Sequence, residues 1–119
     1  MIHLKASQVS TWAKQHSAST PDKPVLVLDV REAWEVQTAS IVNDEAVNGF
    51  QLIHMPMRSV PARYPELDRH QPIACLCHHG MRSLRVAAFL MQNGFDQVAN
   101  ITGGIDAWSH ERDSAVPHY

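Results

Sequence analysis

The residues of this chain best suited to chemistry lie together in one run, Cys77-His78-His79-Gly80-Met81-Arg82-Ser83, with Cys75 two positions earlier. A thiol acts as a nucleophile in its thiolate form, and a cationic or helix N-terminal setting favours that form. Ile73-Ala74-Cys75-Leu76-Cys77 reads as a strand buried on both faces. Ser83 to Asn93 is the clearest helix, with Leu84, Ala87, Ala88 and Met91 at i, i+3, i+4 and i+7. Cys77 therefore closes a strand and faces a helix N-terminus, whose unpaired N–H groups and partial positive charge attract anions. Gly80 lets the backbone curl so that successive amides point inward. Arg82 adds a permanent charge that steadies the curl or contacts an anion. The expected outcome is an activated sulfur nucleophile in a ring of donors.

Other elements must position that loop. Ile2-His3-Leu4 suggests a short strand, and Ser7 or Ser10 a cap for a helix reaching about His16, with Val9, Trp12 and Ala13 on one face. Ser17 to Lys23 is polar, contains Pro21 and reads as a loop. Pro24 to Val30 is a second continuous apolar, β-rich run. A short helix is expected from Arg31, a strand around Leu52–Pro56, a helical turn within Pro61–Leu67 and a last strand from Gln97 to Ile101. Gly94 stands where a left-handed helix end is wanted, and Thr102-Gly103-Gly104 turns into a helix carrying Ala107 and Trp108. Strands alternating with helices predict an α/β domain with a mainly parallel sheet, whose ligands bind beyond the carboxyl ends of the strands.

The whole chain, 1–119, reads as one domain. Ten basic residues against twelve acidic ones leave no basic stripe for nucleic acid. No run reaches the ~18 apolar residues of a membrane span, and no apolar stretch follows a basic flank near Met1, so no signal peptide is expected. Both cysteines are expected to be reduced thiols in the cytoplasm, since a bridge across one intervening residue closes a strained ring. Eight histidines make the charge sensitive to pH around 6.5.

The loop resembles the rhodanese family, whose pattern Cys-x-x-Gly-x-Arg-Ser is matched by Cys77, Gly80, Arg82 and Ser83. A first signature is matched by Asp29-Val30-Arg31-Glu32 with Glu35, and a closing one by Gly103-Gly104 through Trp108. The resemblance implies a rhodanese-like domain with a central, mainly parallel five-stranded sheet flanked by helices on both faces. It implies a sulfurtransferase of the thiosulfate type, with Cys77 catalytic through a persulfide. Thiosulfate or a related donor would supply the sulfur; cyanide, a thiol or a protein would accept it. His78, His79, Gly80, Met81, Arg82 and Ser83 would form the substrate-binding loop, with Asp29 and Arg31 structural beside it. Where the family usually has Gly-His-Ile, this chain has Ala39-Ser40-Ile41 and then a long stretch, Val42 to Gly49, read as a lid or partner surface. Family members favouring thiosulfate carry basic residues where His78 and His79 stand, so affinity for thiosulfate is expected to rise as pH falls from 8 to 6.5.

Quieter readings accompany these. Cys75 shares a strand face with Cys77 and reads as a structural thiol, with a resolving role as the alternative. Cys75, Cys77, His78 and His79 lack zinc-site spacing, so neither metal nor cofactor is expected. The remaining histidines are scattered along the chain. Trp12, Trp34 and Trp108 read as core or helix-packing residues. A cysteine phosphatase or arsenate reductase shares the loop logic but has a longer stretch between Cys and Arg. A non-catalytic sulfur carrier or docking module is the other alternative.

Overall fold

A computed structural model describes residues 1–19, 22–41 and 49–119. Five strands, β1 (Ile2–Lys5), β2 (Leu26–Asp29), β3 (Gln51–His54), β4 (Ile73–Leu76) and β5 (Val98–Thr102), form one sheet in the order β1-β5-β4-β2-β3. All four pairings are parallel, with Leu28 opposite Cys75 and Cys75 opposite Asn100. Among the described residues, the α-helices are α1 (Val9–Ser19), α2 (Ala33–Thr38), α3 (Val60–Arg63), α4 (Met81–Gln92) and α5 (Gly104–Glu111).

The central strands are apolar throughout because both of their faces are covered. Val25, Val27, Ala74, Leu76, Ala99 and Ile101 face one core with Val9, Trp12 and Ala13 of α1 and Ile105 and Trp108 of α5. Leu26, Leu28, Ile73, Cys75 and Val98 alternate to the other core, against Val60 of α3 and Val86, Ala87 and Leu90 of α4. A fully buried leucine such as Leu28 contributes about 1.5–3 kcal/mol by leaving water.

The chain crosses from β2 to β3 on one side and from β4 to β5 on the other. The carboxyl ends of β2 and β4 thus flank a point where the winding reverses, the usual place for a crevice in open α/β sheets. Arg31 follows β2 and Cys77 follows β4 at that point.

Several boundaries differ from the sequence reading. Neither Ser7 nor Ser10 caps α1; the chain enters through a 3-10 turn at Ala6–Gln8, where the Lys5 amide donates to Gln8 Oε1 at 2.9 Å. That helix runs on to Ser19, into the expected loop, with the Ser19 hydroxyl donating to the Gln15 carbonyl at 3.1 Å. β4 stops at Leu76, so Cys77 leaves the ladder, and α4 begins at Met81, two residues early. Trp12 and Trp108 are buried, but Trp34 is 61% exposed. Six-residue α2 buries Glu35 and leaves position 34 to solvent. The Val42-to-Gly49 reading as a lid or partner surface falls on 42–48, outside the described residues. No helix among the described residues is long and apolar enough to cross a membrane.

Candidate active site

The site is built where β4 ends. Cys77 is 1% exposed and both cysteines are free. Its Sγ accepts from the Gly80 amide at 3.0 Å and faces the Ser83 hydroxyl at 3.3 Å. Among the described residues, one main-chain N–H and one hydroxyl address Sγ, which lies under the loop surface. Gly80 adopts φ +104°, the left-handed region that favours glycine, and this turns its amide back toward the thiol.

Ser83 also lies 2.6 Å from Asn100 Oδ1, and Asn100 Nδ2 donates to the Gly80 carbonyl at 3.2 Å. A hydroxyl has one proton. With a neutral thiol, Ser83 can give that proton to Asn100 and accept from S–H. With a thiolate, the proton can turn to the sulfur. Asn100 interrupts the otherwise apolar Val98-Ala99-Asn100-Ile101, and that polar residue in a buried strand was the available sign of its role.

A second network fixes the loop from below. Arg82 makes a bidentate pair with Glu35, at 2.7 and 2.6 Å. Glu35 also accepts from the Glu32 amide at 2.8 Å and from the Tyr119 hydroxyl at 3.0 Å. Arg31 is wholly buried. Its guanidinium donates twice to Asp29, at 2.9 and 2.7 Å, and also to the Glu35 carbonyl and to Tyr119 Oη. Arg82 thus steadies the loop through Glu35. Glu35 appeared in the sequence only as part of a motif, and Tyr119 carried no signal, because its hydrogen-bond partners Arg31 and Glu35 lie more than 80 residues away.

The Arg82 guanidinium, more than the Glu32 amide or Tyr119, holds the Glu35 carboxyl down at about 2 against the burial that opposes it. A depressed carboxyl stabilises the fold above its unfolded value, and that contribution disappears as pH falls through the folded one. Glu35→Gln is expected to lower the unfolding free energy at pH 7 by about 2–3 kcal/mol, a value reduced because Arg82 is one-third exposed. The variant should also lose less further stability than the native chain between pH 4.5 and 2. Denaturant unfolding at both pH values checks this; parallel losses in the two proteins would rule the pairing out as the cause.

The other loop residues diverge. The Met81 side chain is 66% exposed. His78 is stacked between Tyr119 and His79, at ring separations of 3.8 and 3.9 Å. Burial, with His79 beside it and Arg82 near, pulls His78 below its ordinary range, against the opposing pull of Asp106 and Glu35. Protonation of His78 is therefore disfavoured, which weakens its share in the rise of anion affinity expected as pH falls from 8 to 6.5.

Burial, and secondarily Cys77, pushes the Cys75 thiol up to about 12. Cys75 is expected to resist iodoacetamide at pH 8 in the folded protein and to react once the chain is unfolded. Peptide mass mapping would show this, and ready labelling of folded Cys75 would contradict the burial argument.

The floor of the loop is the start of α5. Ile105 N donates to the Cys77 carbonyl at 2.8 Å and Asp106 N to the His78 carbonyl at 3.1 Å. Histidines that looked scattered in the sequence converge nearby: Asp106 lies within reach of His78 and His79 on one side and of His110 and His118 on the other.

Comparison with known proteins agrees with this fold. Residues 10–111 match the family described as Rhodanese-like domain. A sulfurtransferase of Allochromatium vinosum is 33% identical over 95 residues, covering 80% of this chain and 79% of its own. The thiosulfate sulfurtransferase GlpE of Pseudoalteromonas translucida is 32% identical over 84 residues, 71% of this chain and 72% of its own. The crystal structure of a rhodanese-related protein from Thermoplasma volcanium superposes with a TM-score of 0.70 at 27% identity, over 94% of each chain.

Proposed function

Because the chain belongs to the rhodanese-like domain family, we propose that it is a sulfurtransferase that carries sulfane sulfur as a persulfide on Cys77. The observation that carries the reading is the Cys77 sulfur at a strand end, addressed by the Gly80 amide and the Ser83 hydroxyl.

In the first half-reaction the Cys77 thiolate attacks the outer sulfur of thiosulfate. A new S–S bond forms, the old one breaks, and sulfite leaves with the electron pair. In the second, cyanide or a thiol attacks the terminal sulfur, and Cys77 leaves as thiolate. This is covalent catalysis in two steps. The Gly80 and Ser83 donors offset negative charge on sulfur throughout. Arg82 acts as a positioning residue through Glu35, while His78 and His79 border the loop.

Thiosulfate as donor is supported by the named activity of the GlpE relative. Small thiophiles and a protein thiol are the acceptors this chemistry suits. The near-complete burial of Cys77 requires the loop side chains to part for a donor. Two free thiols fit a reducing, cytoplasmic setting.

Intact mass after incubation with thiosulfate tests the reading. The chain should gain one sulfur atom and lose it to excess cyanide. A chain that gains no sulfur from any sulfane donor would favour a docking module. A loaded chain that fails to discharge to cyanide would favour a carrier for a protein acceptor.

A further inference from the structure

α5 and the segment after it bring together three side chains that the sulfur chemistry does not use. Asp106 and His110 stand at i and i+4, one above the other on a single face of α5. His118 folds back against them: its Nδ1 is 3.1 Å from Asp106 Oδ1, and its ring is 4.5 Å from that of His110. One ligand atom from each of the three lies within 4.8 Å of the other two.

The hydrogen bonds around His118 carry the argument. The Ser109 hydroxyl donates its one proton to the Val116 carbonyl at 2.6 Å. Ser109 Oγ can then only accept from His118 Nε2, 3.1 Å away, so Nε2 carries a hydrogen. In the neutral ring this leaves the lone pair of Nδ1 aimed at a carboxylate oxygen, two acceptors face to face. A proton on Nδ1 relieves that conflict, and so does a cation shared between them. A histidine whose far nitrogen is anchored by a fixed acceptor, with the near one bare beside a carboxylate, has the outer-shell arrangement of a metal ligand.

We propose that Asp106, His110 and His118 bind one divalent first-row transition ion, with Zn2+ as the ion this donor set suits. Two imidazoles and a carboxylate are borderline ligands of the kind that select zinc over calcium or magnesium. Three protein ligands leave a fourth tetrahedral position to water. The partly exposed side chains of Asp106 and His118 give the ion a path from solvent. The alternative trio, His78, His79 and Asp106, is less suited. Its two rings stack with an interplanar angle of 24°, so their in-plane lone pairs run side by side instead of converging. The site lies next to the loop, since the Asp106 amide donates to the His78 carbonyl.

Calorimetric titration of the full chain, stripped of metal with a chelator, with Zn2+ at pH 7.5 tests the assignment. One ion per chain is expected. His110→Ala and His118→Ala should each weaken binding at least tenfold while keeping the native circular dichroism spectrum. Cys77→Ser should bind like the native chain. The proposal is overturned by an absence of binding, by unchanged affinity in both histidine variants, or by loss of binding in Cys77→Ser, which would place the ion on the thiolate. None of these outcomes depends on sulfur transfer.

Discussion

A Cys77→Ser protein is expected to fold like the native chain and to transfer sulfur from thiosulfate to cyanide at least about a thousandfold more slowly. The substitution is nearly isosteric, and the Gly80 amide and Ser83 hydroxyl that face the sulfur can face an oxygen instead. The fold therefore loses little. Chemistry loses its carrier, because a serine hydroxyl stays protonated at neutral pH and forms no counterpart of a persulfide. Cys75 cannot substitute, since burial keeps its thiol protonated and its side chain lies in the core. Steady-state turnover with a parallel unfolding curve measures both halves of the expectation. Retention of more than a tenth of the native rate would remove Cys77 from the nucleophile's place.

The second large effect is structural and comes from a glycine outside the Cys77–Ser83 loop. Gly104 opens α5 at φ +58°, in the left-handed region, and its α-carbon sits directly beneath the loop. A Cβ at this position would collide with the carbonyl oxygens of Cys77 and His78. Those same oxygens receive the Ile105 and Asp106 amides, so the first turn of α5 is seated on the loop by two main-chain hydrogen bonds. Gly104→Ala must separate the two segments, lose those bonds and hold a strained dihedral. The combined cost is expected to be about 3–5 kcal/mol, at the high end for one methyl group. Sulfur transfer should fall as well, since the backbone that aims Cys77 moves with its carbonyl. Denaturant unfolding and turnover of Gly104→Ala would check this. An unchanged midpoint would show that the contact between α5 and the loop is looser than the geometry implies.

Much of this molecule could be read locally. The apolar runs at Pro24–Val30 and Ile73–Cys77 require strands covered on both sides, and a parallel sheet provides that cover. The Cys77–Ser83 stretch carries its own turn: only a glycine takes the φ of Gly80 without strain, and the amphipathic helix after it needs no distant partner to be recognised. Helix ends were less legible. Where α1 stops depends on whether Ala18 and Ser19 continue a turn that propensity leaves undecided. Trp34 was misplaced because a six-residue helix has too little periodicity to show which side it buries.

The chain's own order of residues was enough to establish the alternation of strands and helices and to mark Cys77 as the sulfur at the loop, because both follow from neighbours within one or two turns. Tertiary folding alone decided that Asn100 would hold Ser83, that Glu35 and Tyr119 would brace Arg82, and that Asp106, His110 and His118 would meet. These contacts join side chains 17, 47 and 84 positions apart, or draw a tail residue back onto a helix. Residue type and spacing carry no distance information over such separations; the packing of α4 and α5 against the sheet supplies it.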